Sequence, residues 1–157
     1  MIRIFIILAL IAPSLVQAET TSNSSSVTLV EPLTMTQSRE MNFGKVLVPS
    51  SGSNLVRLKG NGDYHSSTTG TIGNFQESAQ FKITGDPNSV VEYTSVSVSS
   101  TIPGVTFDRL YHTASQTINN NGKKNLNVGA RIYVSSTATP GVYDNGELSY
   151  TIQVEYQ

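Results

Sequence analysis

The feature that most constrains this chain is an alternation. Over residues 148–156 the apolar side chains Leu148, Tyr150, Ile152, Val154 and Tyr156 are separated each time by one polar residue. A period of two puts all five on one side of an extended backbone, the pattern of a half-buried strand. The same beat runs through Ala79, Phe81 and Ile83, and without a fault through Leu126, Val128, Ala130, Ile132 and Val134.

Turn-forming residues punctuate these runs at Pro49-Ser50-Ser51-Gly52, Gly60-Asn61-Gly62-Asp63, Gly85-Asp86-Pro87-Asn88, Asn119-Asn120-Asn121-Gly122 and Pro140-Gly141. Residues 41–48, 55–58, 90–98 and 105–111 are further strand candidates, and no window sustains a helical period. Strand runs recurring every roughly 8–12 residues between turns are the sequence form of a sandwich. The expectation is a single all-β domain over residues 27–157, an Ig-like or pilin-like β-sandwich of about seven to nine strands. Within it, residues 125–135 and 147–157 are expected to be neighbouring core strands.

The start of the chain has a different character. A short basic beginning at Arg3, an apolar run over residues 4–12, Pro13, and small residues before Ala18 form a secretory signal peptide over residues 1–18. Its apolar run is too short to span a bilayer. No later segment is apolar enough to span, so no membrane insertion of the mature chain is expected. The mature protein is expected to be exported to the periplasm, the cell surface or the medium. Residues 19–26 form a flexible polar leader. Charged residues are only 13 % of the chain and the net charge is -1. That balance gives no reason to expect a nucleic-acid partner. With no cysteine, the fold must be held by sheet and core alone, without disulfides or thiolate metal ligands.

Catalytic patterns are missing. The two histidines, His65 and His112, lack the spaced third ligand that a zinc site needs. No G-x-S-x-G elbow accompanies the many serines. The Gly60–Gly62 turn lacks the third glycine, the helix and the Lys-Ser/Thr pair of a phosphate loop. Asp86-Pro87-Asn88 and Asp144-Asn145-Gly146-Glu147 carry oxygen ligands without the twelve-residue calcium-loop spacing. The expectation is a non-enzymatic protein with no cofactor, no metal and no catalytic residues.

A strand as apolar on one face as residues 148–156 invites aggregation if its edge stays open. Residues 27–35 alternate in the same way, with Val27, Leu29, Leu33 and Met35 on one face, and follow the polar leader. Pro32 marks this stretch as an edge strand or a broken one, because proline lacks a ladder donor. It is the expected cover for residues 148–156. The cover comes either from within the chain or from the next copy, by strand addition.

The order of several short motifs carries a resemblance. Phe43-Gly44 near the start, Phe81-Lys82-Ile83-Thr84-Gly85 in the middle, Val128-Gly129-Ala130, Gly141-Val142-Tyr143 and the final Val154-Glu155-Tyr156 resemble a bacterial secreted domain-of-unknown-function family. That family is similar in layout to chaperone–usher fimbrial subunits and to subunits of the spore coat protein U type. The resemblance implies an exported structural or adhesive surface subunit that assembles by β-strand complementation. The implied partners are a homo-oligomer or polymer and a periplasmic chaperone. The chain departs from fimbrial subunits in lacking their disulfide, and Glu31-Pro32 interrupts the donor segment. The alternative is a monomeric binding module that recognises glycan or protein through residues 60–73 or 119–124, with Tyr64, Tyr111 and Tyr143 as aromatic contacts.

Overall fold

A computed structural model describes residues 25–60, 64–66, 70–73, 76–144 and 146–157. The expected signal peptide, residues 1–18, and most of the expected polar leader lie outside the described residues. So do Asn61, Gly62, Asp63 and Asn145. The described residues form strands and turns with no helix, eleven strands in all. They are β1 (Thr34–Arg39), β2 (Lys45–Val46), β3 (Ser53–Leu58), β4 (Tyr64–Ser66), β5 (Thr71–Ile72), β6 (Ala79–Thr84), β7 (Val90–Ser100), β8 (Val105–Tyr111), β9 (Ser115–Thr117), β10 (Lys123–Ser135) and β11 (Leu148–Tyr156). The all-β expectation holds. The higher count comes from short pieces such as β2, β4, β5 and β9.

Two antiparallel sheets face each other as a sandwich. The larger is organised by β10. Its residues 123–128 pair with β6, and β6 pairs with β1. From residue 129 onward β10 pairs with β8, and from residue 131 with β3, which in turn pairs with β4. The smaller sheet has the order β11-β7-β9. A two-stranded ribbon joins β2 and β5.

The alternation read in β10 is realised in full, since Leu126, Val128, Ala130, Ile132 and Val134 are all buried. They meet Phe81 and Ile83 of β6, Val56 of β3, Phe107 and Leu110 of β8, and Val91, Tyr93 and Ile152 from the smaller sheet. Each valine, leucine, isoleucine or phenylalanine among them contributes roughly 1.5–3 kcal/mol when taken out of water. An edge-to-face aromatic chain ties the layers together: Phe43 to Phe107, Phe107 to Tyr150, and Tyr150 to Phe81, with centroids 6.2, 6.3 and 6.3 Å apart.

Gly129 marks the point where β10 changes partners. The end of β3 passes so close over it that an added β-carbon would collide with the Leu58 carbonyl oxygen and lie 2.6 Å from the Lys59 carbonyl carbon. Only glycine permits that approach.

Three boundaries differ from the sequence reading. Residues 125–135 and 147–157 are not neighbours: β10 belongs to the larger sheet, while β11 pairs with β7 from Leu148↔Ser100 to Tyr156↔Val91. Both strands are apolar on one face, and they meet across the core rather than edge to edge. Residues 41–48 form only the short β2 and a single bridge between Asn42 and Glu77. The edge strand expected at 27–35 begins instead at Thr34 and pairs with β6. Residues 25–33 precede it without strand structure, consistent with Pro32 denying that stretch a ladder donor.

Candidate functional site

The sandwich has two long sides, and each collects a distinct set of groups. On one side, β1 closes the larger sheet and β11 closes the smaller one. Among the described residues β1 pairs only with β6 and β11 only with β7, so both outer edges carry unpaired backbone groups. Side chains link the two edges. The Tyr156 hydroxyl donates to the Glu31 carbonyl oxygen at 2.7 Å and accepts from the Asp86 amide at 2.6 Å. The Gln37 amide nitrogen lies 3.4 Å from the Tyr150 hydroxyl. The seam is lined by Leu33, Met35, Leu148, Tyr150, Val154 and Tyr156, which are partly buried against the core. Ile152 alone of the five alternating residues of β11 is fully buried.

Burial pushes the Tyr150 phenol up to about 12, and the charge of Glu40 adds to the shift. Tyr156 stands over Gly85, where an added β-carbon would collide with its hydroxyl and touch Leu33 at 3.0 Å.

The other two members of the predicted pairing set do not join this seam. Val27 and Leu29 are 82 % and 87 % exposed, and Val30 is 55 % exposed. Residues 25–30 therefore project as an arm with bare apolar side chains, anchored at its base by the Glu31–Tyr156 hydrogen bond.

Of the remaining motif residues, Phe43 and Phe81 pack into the aromatic chain already described. The Gly44 amide donates to Asn42 Oδ1 at 2.7 Å. Gly141 and Tyr143 form an exposed turn in which the Tyr143 hydroxyl donates to the Thr139 carbonyl at 2.7 Å.

The opposite side holds a shallow depression of about 400 Å³. It is bordered by Gly60, Tyr111, His112, Gln116, Asn125 and Asn127, among others, and its lining holds no Asp, Glu, Lys or Arg. His112 is fully engaged: Nε2 lies 2.7 Å from Ser95 Oγ, and Nδ1 lies 2.8 Å from the Thr113 carbonyl oxygen. Donation from Nδ1–H to that carbonyl leaves Nε2 to accept from the serine.

Asp108, the carboxylate nearest to His112 in sequence, instead accepts from Arg131 and Arg109. The Arg131 contact, then the Arg109 contact, holds its carboxyl below the usual carboxylate range despite some desolvation. No Ser-His-Asp relay is assembled there. Among the described residues no three His, Cys, Asp or Glu side chains are grouped to hold a metal. His65 and Tyr64 lie in β4, backbone-paired with Arg57 and Leu58.

Sequence reasoning did not single out Asn125, Asn127 or Gln116, because an isolated amide on a strand carries no pattern. The arginines of β8 and β10 did leave a trace, in the matched triplets Arg109-Leu110-Tyr111 and Arg131-Ile132-Tyr133. In a strand, each triplet places arginine and tyrosine together on one face.

A family model described as "Domain of unknown function (DUF4402)" matches residues 33–156. The chain belongs to that family. The matched region starts at Leu33, so the exposed arm precedes the shared domain. No curated protein and no solved structure matches the chain.

Proposed function

We propose that this protein is an exported structural or adhesive surface subunit, fimbria-like and non-enzymatic, that assembles by β-strand complementation. The carrying observation is the pairing of two incomplete features in one molecule. One is an arm with exposed Val27, Leu29 and Val30. The other is β11, whose outer edge is unpaired among the described residues. An unpaired edge of nine residues with an apolar inner face is an invitation to strand addition.

Six extended residues, 25–30, reach about 20 Å, enough to run along most of β11 from Tyr156 toward Tyr150. The arm's own base is tied to Tyr156 of the same chain, while its Val27 and Leu29 are exposed instead of packed on that seam, which leaves them available to the next copy. Val27 and Leu29 then complete a seam whose lining is only partly buried. Head-to-tail addition of this kind is heterologous and generates an open polymer. A periplasmic chaperone strand would protect the same edge before assembly.

Sedimentation or size-exclusion measurements on the mature chain at several concentrations test the reading. The intact chain is expected to form concentration-dependent oligomers, and a variant lacking residues 19–33 is expected to stay monomeric. An intact chain that remains monomeric at every concentration would count against assembly and favour a solitary binding module.

A further inference from the structure

The outer face of β3, β10 and β8 carries a charge arrangement that the fold itself does not need. Strand register sets Arg131 directly opposite Arg57 on one side and Arg109 on the other. Three of the five arginines in the chain thus stand in one row across three strands, about 4.8 Å apart at the backbone. Like charges directly opposite each other destabilise a sheet, so the row has a cost.

Among the described residues a single carboxylate offsets it. The register shift between Arg131 and Ile132 leaves room for Asp108 beside the row, and it accepts from both Arg131 and Arg109. Among the described residues Arg57 has no such partner. Its guanidinium lies 4.3 Å from the centroid of the Tyr111 ring, and its Nε is buried without a hydrogen bond. Arg131 sits over Tyr133 in a similar way, at 5.4 Å.

Tyr111 also borders the depression on the adjoining side of the sandwich. There the amides of Asn127 and Gln116 use their oxygens internally, accepting from Gln80 Nε2 at 3.0 Å and the Tyr93 hydroxyl at 3.2 Å. Their NH₂ groups remain as donors. Asn125 is exposed beside them. One surface therefore joins a guanidinium whose Nε lacks a hydrogen bond among the described residues, an aromatic ring and a floor rich in amide donors.

We infer that this surface binds an acidic saccharide. Arg57, at the head of the arginine row, takes the carboxylate, Tyr111 offers its ring to the sugar, and Asn125, Asn127 and Gln116 take the hydroxyls. A guanidinium fork matches a carboxylate in two parallel hydrogen bonds. Neutral amides next to an aromatic edge suit a ring that is hydroxylated on its rim and apolar on its face. The surface lies on the side of the sandwich away from the β1–β11 seam, so its occupancy does not depend on assembly.

Amide chemical-shift titration of the mature chain tests this directly, with a galacturonic acid oligomer and 3′-sialyllactose as acidic probes. Lactose serves as the neutral control and inorganic phosphate as the bare anion. The acidic sugars are expected to shift amides around Arg57, Tyr111 and residues 125–127, while lactose and phosphate shift them far less. Arg57→Gln is expected to weaken binding by about tenfold or more, the value of a hydrogen bond to a charged group. Asn125→Ala is expected to weaken it severalfold. If Arg57→Gln fails to fold, Arg109→Gln, at an exposed position, supplies the charge test with a smaller loss.

Equal response to lactose would overturn the role of charge, and equal response to phosphate would overturn the saccharide. No shift at millimolar probe, or binding unaffected by the variants, would overturn the site.

Discussion

Substituting Gly129 by alanine tests the crossing on which the larger sheet is built. The new methyl would collide with the Leu58 carbonyl oxygen and lie within 2.7 Å of the Leu58 and Lys59 carbonyl carbons. All three obstacles are backbone, held by the β3–β10 and β8–β10 ladders on either side, so no side-chain rotation relieves the clash. Overpacking a core costs typically 1–3 kcal/mol, and rigid backbone obstacles place Gly129→Ala at about 3 kcal/mol or above.

For a domain of this size the unfolding entropy is about 0.26 kcal/mol/K, so Tm should fall by about 12 °C. The urea midpoint should drop by about 2 M if m is near 1.5 kcal/mol/M. Gly52→Ala is the control, because nothing lies within 4 Å of its added carbon and only its φ of +72° opposes the change. That substitution should cost about 1–2 kcal/mol from backbone strain alone. Urea and thermal unfolding followed by circular dichroism read both. A Gly129→Ala protein within about 0.5 kcal/mol of the parent would refute the close crossing.

Other consequences follow from the seam and the charge cluster. Tyr156→Phe removes the donor to Glu31 and the acceptor for the Asp86 amide. It should cost about 1–2 kcal/mol in urea unfolding and speed hydrogen exchange at Asp86. Tyr93 and Tyr150 are both pushed up to about 12 by burial. Because their folded values exceed their unfolded ones, stability should hold up to about pH 10 and decline as pH rises toward 12. A flat stability profile across that window would contradict their burial. Asp108 has a lowered pKa, first from the Arg131 hydrogen bond. Its contribution is therefore present above the ordinary carboxylate range and lost as pH falls through the depressed value. Asp108→Asn should flatten the acid limb of a Tm-versus-pH curve, with the difference shrinking in high salt.

Much of the fold was legible where side-chain alternation was long. In β10 the period of two ran across five apolar residues, and every one of them is buried. The partners of each strand were not legible, because alternation states which face is inward and not which strand lies alongside. That is why β10 and β11 looked like neighbours although they face each other across the core. Residues 27–35 misled at their start for a local reason. Pro32 sits inside the pattern, and the ladder begins only past it, at Thr34. Strands of two or three residues such as β2, β5 and β9 are too short to show any period.

The arginine row was hidden for a related reason. Arg57, Arg109 and Arg131 are dozens of residues apart in sequence, and register alone aligns them. The terminal tyrosine was recognisable as a motif. Its task of tying the base of the arm to the turn after β6 depended on two backbone atoms that no pattern could locate.

Strand complementation is most directly tested by disulfide trapping, which the cysteine-free chain makes clean. One population carries Thr28→Cys in the arm and a second carries Gln153→Cys on β11. The two are mixed under mild oxidation and separated without reductant. Mixed disulfide dimers are expected at high yield, abolished when Val27 and Leu29 are both replaced by aspartate. A mixture that yields only like-with-like dimers, or the same mixed yield with the aspartates present, would contradict addition of the arm to β11.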